Sequence, residues 1–324
     1  MQAKIHRPTP ANLRRLAAAL QRGELVAIPT ETVYGLAAHA LDPKACRAIF
    51  RAKRRPANDP LIVHVLDLAR AELLAEFNPT ARRLARRFWP GPLTLVLPKK
   101  ACVPGIVTSG GPTVAIRAPE HPLARRLLRL AQIPLAAPSA NLFGYISPTT
   151  AAHVRTGLGK RIPHILDGGA CAVGVESTVL DVTNPAKPRI LRPGAVTAAQ
   201  LQQFLGVPVH SAKSPGPRGR QLSPGMLERH YSPRTPLVLR RPPARLPVSV
   251  AVVWLSKPGG RPAQNIFWLS RRGALPEVAR NLYQVLRRAD AGGFREIWVE
   301  PLPGDASGLA AAIKDRLKRA AAKR

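Results

Sequence analysis

Residues 52–65 read AKRRPANDPLIVHV. Lys53, Arg54 and Arg55 run straight into Pro56, and an apolar run broken only by His64 begins at Leu61. Cations at this point suit the C-terminal end of a helix, where they complement its dipole. Pro56 stops such a helix and biases the residue before it toward extended backbone. A helix opening at Asp42 and Pro43, an N-cap and first-turn pair, is therefore expected to end near Arg55–Pro56, and LIVHVL to form a strand. A helix delivered to a strand across so short a link is the joint of an α/β sheet.

The same alternation runs outward in both directions. A helix is expected over Asn12–Gln21, then a strand at LVAIP. Asn78–Pro79 opens another helix, LTLVL and TVAIR read as strands, and HPLARRLLRLA has Leu at helical spacing. IPLAAP is a strand, Ser147–Pro148 caps a helix, and HILDGG, STVLDV and RILRP are strands before a helix over TAAQLQQFLG. Residues 207–235 lose apolar periodicity and are rich in Pro, Gly, Ser and cations, the composition of a linker. A second α/β pattern follows: strands at PVSVAVVWL, NIFWLS and EIWVE, with helices over EVARNLYQVLRRA and LAAAIKDRLKRAA. The expected organisation is a twisted open-sheet domain (1–206), the linker (207–235) and a smaller Rossmann-like α/β domain (236–324).

Composition narrows the function classes. The chain has 324 residues and a net charge of +32, distributed as +21 before residue 236 and +11 after it, so the charge is spread and not a tail. Such a surface attracts polyanions and anionic substrates, although Arg abundance is also a feature of the whole composition. No apolar run approaches the roughly 18 residues of a membrane span, and the core-like strand beginning at Glu24 leaves little room for a removable leader. Cys46, Cys102 and Cys171 are odd in number and far apart, as expected of reduced thiols in a cytoplasmic protein.

There is no P-loop, no G-x-G-x-x-G after a strand, no G-x-S-x-G, no H-E-x-x-H and no paired C-x-x-C. A bound nucleotide must be held by scattered polar groups, and no protein-built metal centre is expected. Five polar clusters fall at the ends of expected strands, where open α/β sheets bind ligands. PTETVYGL (29–36) offers the hydroxyls of Thr30, Thr32 and Tyr34, or a capped turn into a helix. Lys53 and Arg55 suit phosphate oxygens, or simply end a helix. His64 is a ligand or a core histidine. Arg117 ends an apolar strand and needs an anion, from a ligand or from a structural carboxylate. Ser139 and Asn141 lie on a tight turn in APSAN, with Ser147 a possible N-cap. Ser177, Thr178 and Arg192 lie in GVESTV and ILRPG. Together these describe a site rich in cations and hydroxyls and poor in carboxylates. It suits a nucleoside triphosphate beside a small carboxylate, with chemistry by positioning and charge stabilisation.

PTETVYGL, KRRPANDPLIVHV, FWPGPLTLVL, APSAN, GVESTV and ILRPG, in this order over about residues 10–206, closely resemble the YrdC/Sua5 family of L-threonylcarbamoyladenylate synthases. SPGMLERHYSP and the ending GLAAAIKDRLKRAA are similar to the longer Sua5 form with its C-terminal domain. The resemblance implies a nucleotidyltransferase that condenses L-threonine, bicarbonate or CO2, and ATP with Mg2+ to threonylcarbamoyl-AMP and pyrophosphate. A separate transferase then carries the group to the adenosine beside the anticodon of tRNA. It further implies a K-x-R/S-x-N tetrad, here Lys53, Arg55, Ser139 and Asn141. By the same resemblance, ATP contacts are Arg55, Asp59, Thr113, Ser139, Ser147, Arg192 and Tyr231. Threonine contacts are Thr32, His64, Arg117, Ser177 and the backbone at Ala137. One departure concerns Asp59, where the family often has Asn; an acid near phosphates could bind through Mg2+ instead of directly.

The rival reading is a non-catalytic RNA-binding module, which the charge would serve. Aromatic content of 5% and the lack of a stacking motif weigh against it. The linker, with Tyr231 and a single acid (Glu228) over residues 211–235, is expected to fold over the nucleotide as a lid.

Overall fold

A computed structural model describes residues 2–212, 221–243, 245–259, 263–304 and 307–322. The linker stretch 213–220 lies outside the described residues. In chain order the elements are β1 (Lys4–His6), α1 (Pro10–Gln21), β2 (Val26–Ile28), β3 (Gly35–His39), α2 (Pro43–Lys53), β4 (Ile62–His64), α3 (Leu68–Glu72), α4 (Pro79–Phe88), β5 (Leu93–Pro98), β6 (Thr113–Arg117), α5 (Pro122–Ala131), β7 (Leu135–Ala136) and α6 (Ala151–Leu158). They continue with β8 (His164–Leu166), β9 (Thr178–Asp181), β10 (Arg189–Arg192), α7 (Ala198–Leu205), β11 (His210–Ser211), β12 (Leu237–Leu239), β13 (Val250–Ser256), β14 (Ile266–Ser270), α8 (Leu275–Asp290), β15 (Glu296–Val299) and α9 (Gly308–Ala320).

Local chemistry sets the boundaries. The Asp42 carboxylate accepts from Lys44 N at 2.7 Å and Pro43 opens α2. Arg51 and Lys53 lie in its last turn, and Arg54 leaves it in the left-handed region at φ 53°. Thr197 and Gln200 form a reciprocal capping box on α7. One expectation is corrected and one alternative falls away. The cap of α6 is Thr150, accepting from His153 N at 3.2 Å, and not Ser147, whose hydroxyl is turned toward Glu176. PTETVYGL enters β3, antiparallel to β2, and not a helix.

The first domain is built on one mixed sheet of eleven strands in the order β1-β8-β2-β3-β7-β4-β6-β5-β9-β10-β11, the last of which comes from the linker. Side chains alternate between its faces. Ala27, Leu36, Val63, Ile116 and Ala136 join the main core cluster with α2, α4 and α6. Val26, Ile28, Leu135 and Ala137 pack on the other face against Leu13, Leu16 and Leu20 of α1 and Leu127 of α5. Full burial of each such leucine contributes roughly 1.5–3 kcal/mol. Further along this second face Ile62, Val96, Ala115, Val179 and Leu191 are covered by Met226, from beyond residue 220.

The second domain is a four-stranded, wholly parallel sheet, β12-β15-β13-β14. Its apolar cluster does not stop at the domain boundary: Val33, Ile146 and Val175 pack with Tyr231, Val278, Ala279 and Tyr283. The approach is close enough to require glycine at Gly174, where a Cβ would lie 2.4 Å from Ala279 O.

Candidate active site

Parallel pairing of β4 and β6 sets His64 directly beside Arg117, each at the C-terminal end of its strand and on the face away from the main core. β7 and the bridge between Gly35 and Ser139 bring the APSAN turn alongside. Ser177 precedes β9 and Arg192 ends β10. Strand ends drawn from distant parts of the chain thus share one hollow, as the fold's geometry favours.

The cavity is about 40 Å³ and is lined by nine of the residues expected from sequence: Thr32, Arg55, His64, Arg117, Ala137, Ser139, Ser177, Arg192 and Tyr231. Thr30, Glu176, Pro224, Gly225 and His230 also line it. In one half, Arg117 donates to Thr32 Oγ1 at 3.0 Å and to Gly91 O at 3.1 Å, and pairs with Glu31 at 2.5 Å. Burial alone would raise the Glu31 carboxyl; Arg117 overcomes this and holds its pKa below the ordinary value. Burial pushes His64 down to about 3, so its ring is neutral, and its Nδ1 has no hydrogen-bond partner among the described residues.

In the other half, Arg55 donates to Asp59 O at 2.9 Å and Pro60 O at 2.6 Å and pairs with the Asp59 carboxylate at 2.9 Å. Arg192 donates to Ser177 O and Oγ, both at 3.1 Å, and to Pro224 O at 3.2 Å. Ser177 also bonds Thr94 Oγ1 at 2.8 Å.

Five expected residues do not line this cavity. Lys53 Nζ donates to the carbonyls of Ser139 and Asn141, and Asn141 Nδ2 donates to Leu142 O and Tyr145 O, both at 2.8 Å. They brace the turn that carries Ser139. Ser147 donates to Glu176 Oε1 at 2.5 Å. Thr113 lies at a separate small hollow with Gln221 and Leu222. Asp59 is 0% exposed and faces Arg55; its burial raises its pKa against the opposing pull of Arg55.

Glu31, Glu176 and His230 were missed in the sequence although each adjoins a residue singled out there: Thr30 and Thr32, Ser177, and Tyr231. Burial lowers His230 to about 3. Among the described residues no group of three His, Cys, Asp or Glu is placed to hold a metal ion. The acids closest to the nucleotide half, Asp59 and Glu176, are both committed to guanidinium groups, so the donor set does not fit a protein-held Mg2+. Cys46 and Cys171 are buried free thiols and Cys102 is exposed. No helix of the described residues is long and apolar enough to cross a membrane.

These features define a two-domain α/β protein with a buried, cation-lined ligand site at the strand ends of its larger sheet. Residues 18–194 match the Sua5/YciO/YrdC family, described as telomere recombination, and residues 196–322 match the domain described as threonylcarbamoyl-AMP synthase, C-terminal domain. The chain belongs to this family. It is 40% identical to the threonylcarbamoyl-AMP synthase of Pyrococcus abyssi, over 95% of this chain and 93% of the relative. It is 41% identical to that of Bacillus subtilis, over 95% and 92%. The crystal structure of P. abyssi Sua5 complexed with L-threonine superposes with a TM-score of 0.89 at 38% identity, covering 98% of both chains.

Proposed function

We propose that this chain is an L-threonylcarbamoyladenylate synthase, a nucleotidyltransferase acting on ATP, L-threonine and bicarbonate or CO2 in the cytoplasm. The observation that carries the reading is the sharing of one cavity by Arg117, Thr32 and His64 on one side and Arg55, Ser139 and Arg192 on the other. Arg117, Thr32, His64, Ser177 and the backbone at Ala137 hold threonine. Arg55, Ser139, Arg192 and Tyr231 hold ATP, with Ser147 behind them on Glu176.

The threonine amine adds to CO2 and loses a proton, giving an N-carboxy-threonine. One of its new carboxylate oxygens attacks the α-phosphorus, the bond to the β-phosphate oxygen breaks, and pyrophosphate leaves with that electron pair. Arg55 and Arg192 stabilise the charge that develops on the phosphoryl oxygens, while Lys53 and Asn141 fix the Ser139 turn. Mg2+ enters with the phosphates of ATP as part of the substrate. The product would pass to a separate transferase that modifies the adenosine beside the tRNA anticodon.

A cavity of about 40 Å³ is far below the roughly 300–1,000 Å³ of ordinary ligand sites. Pro224, Gly225, His230 and Tyr231 form part of its wall, so residues 221–235 of the linker (207–235), which lies between the catalytic domain (1–206) and the C-terminal domain (236–324), act as a lid that must open to admit ATP. A non-catalytic RNA-binding role is disfavoured because Arg55, Arg117 and Arg192 are buried and not displayed to a polymer. Mass spectrometry of the products from ATP, threonine and bicarbonate tests the reading: threonylcarbamoyl-AMP is expected, and its absence with folded protein overturns it.

A further inference from the structure

Glu176 is the one carboxylate among the described residues that line the cavity, and it is 5% exposed. Its Oε1 accepts from Ser147 at 2.5 Å. Its Oε2 accepts from Tyr283 Oη at 2.9 Å and from Arg316 Nε at 2.8 Å. Tyr283 lies on α8 and Arg316 on α9, so two of its three partners come from the second domain.

A buried acid beside a polyphosphate site is unfavourable unless another charge cancels it. Arg316 is placed to do this: its side chain is 0% exposed, it pairs with Glu176, and its guanidinium lies 5.2 Å from the centre of the Tyr231 ring. Tyr231 in turn stacks on Tyr283, with ring centres 5.8 Å apart. The other charges facing this group are Asp315, which is paired with both Arg316 and Arg319, and Arg192 across the cavity wall. Arg287, also from α8, donates to the carbonyls of Ile146 and Ser147 beside it.

We propose that Arg316 is the counter-charge, supplied by the second domain, that keeps the Glu176 carboxylate in the wall of the nucleotide half from repelling ATP. The inference rests on the reading of this half as the ATP site. It assigns the second domain an electrostatic part in nucleotide binding beyond that of a scaffold for the linker.

The test is the dissociation constants of ATP and of threonine, measured by calorimetry on the full chain. Arg316→Gln leaves Glu176 uncompensated and is expected to weaken ATP by about tenfold or more, with threonine within about threefold. Glu176→Gln removes only the charge, its amide oxygen still able to accept from Ser147, and ATP is expected to bind within about threefold of the original protein. Combining the two is expected to restore ATP binding to within about threefold of the original protein, the non-additivity of a charge pair. A double variant as weak as Arg316→Gln, or parallel losses for ATP and threonine, overturns the proposal and leaves only a structural clamp. Should Arg316→Gln fail to fold, Glu176→Gln and Arg316→Lys decide: ATP affinity within about threefold in both is expected, and a tenfold loss in either overturns the proposal. Original protein that binds no ATP overturns both this inference and the synthase reading. Protein that follows the binding pattern yet forms no threonylcarbamoyl-AMP overturns the synthase reading alone.

Discussion

The ammonium nitrogen of Lys53 lies 2.6 Å from the carbonyl oxygen of Asn141, 88 residues further along the chain. With its second bond to Ser139 O, this cation ties the end of α2 to the turn that presents Ser139. It is buried, and burial together with the nearby Arg55 pulls its pKa well below the ordinary lysine value. Removing the side chain frees two buried carbonyls and loosens the turn. Lys53→Ala is expected to lower the rate of pyrophosphate release by ~10²-fold, the scale of displacing a positioned group by about 1 Å. Near-normal turnover by folded variant protein would refute this.

Arg55 depends on Asp59. Asp59→Ala would leave a guanidinium buried without its carboxylate, which costs about 3–5 kcal/mol. Urea unfolding should show the loss as a lower midpoint with little change in slope. Asp59→Asn keeps an acceptor of similar shape and should cost less than the alanine variant; equal costs would show that the ion pair is not what holds Arg55.

Acid should destabilise the fold through two buried imidazoles. His64 and His230 titrate at about 3 in the folded chain against 6.5 for the ordinary group. Between these values the unfolded chain binds one more proton per ring. Their contribution is therefore complete above pH 6.5 and falls by ~1.4 kcal/mol per ring for each unit the pH drops toward 3. Unfolding free energies measured from pH 7.5 down to 5 should decline accordingly. The double variant His64→Asn with His230→Asn should show a shallower decline, and an unchanged slope would remove these rings from the account.

Gly225 permits the linker to close. Its φ is +81°, and a Cβ there would lie 2.6 Å from Tyr231 Oη and 3.1 Å from Arg192 Cδ. Gly225→Ala adds left-handed strain of about 1–2 kcal/mol and pushes on both side chains. Weaker ATP binding with threonine binding little changed is the expected result. Equal affinity for ATP would mean that the closed linker is not part of the nucleotide site.

Removal of residues 211–324 takes away His230, Tyr231, Tyr283 and Arg316 and exposes Val33, Ile146 and Val175, which pack against the second domain. A raised ATP requirement or lost turnover is expected. Unchanged kinetics in well-folded truncated protein would exclude a lid.

The sequence by itself determined most of what is local. Asp42–Pro43, Asn78–Pro79, Thr197–Gln200 and the leucine spacing of α5 mark helices because capping and periodicity act over one or two turns. Alternation of these helices with β-rich runs led to the α/β class in both domains, and the ordered motifs to the family. Very short strands such as β1 and β11, of three and two residues, carry no pattern long enough to read. Tertiary structure alone decided which polar groups meet. Packing sets His64 beside Arg117 through the β4–β6 register, turns Lys53 and Asn141 into braces behind the wall, and buries the Arg55–Asp59 pair. It also joins Glu176 to Arg316 across 140 residues. The physical reason is that burial, and with it the charge and partner of each ionisable group, is a property of packed surfaces from distant segments, and neighbours in sequence do not specify which surfaces those will be.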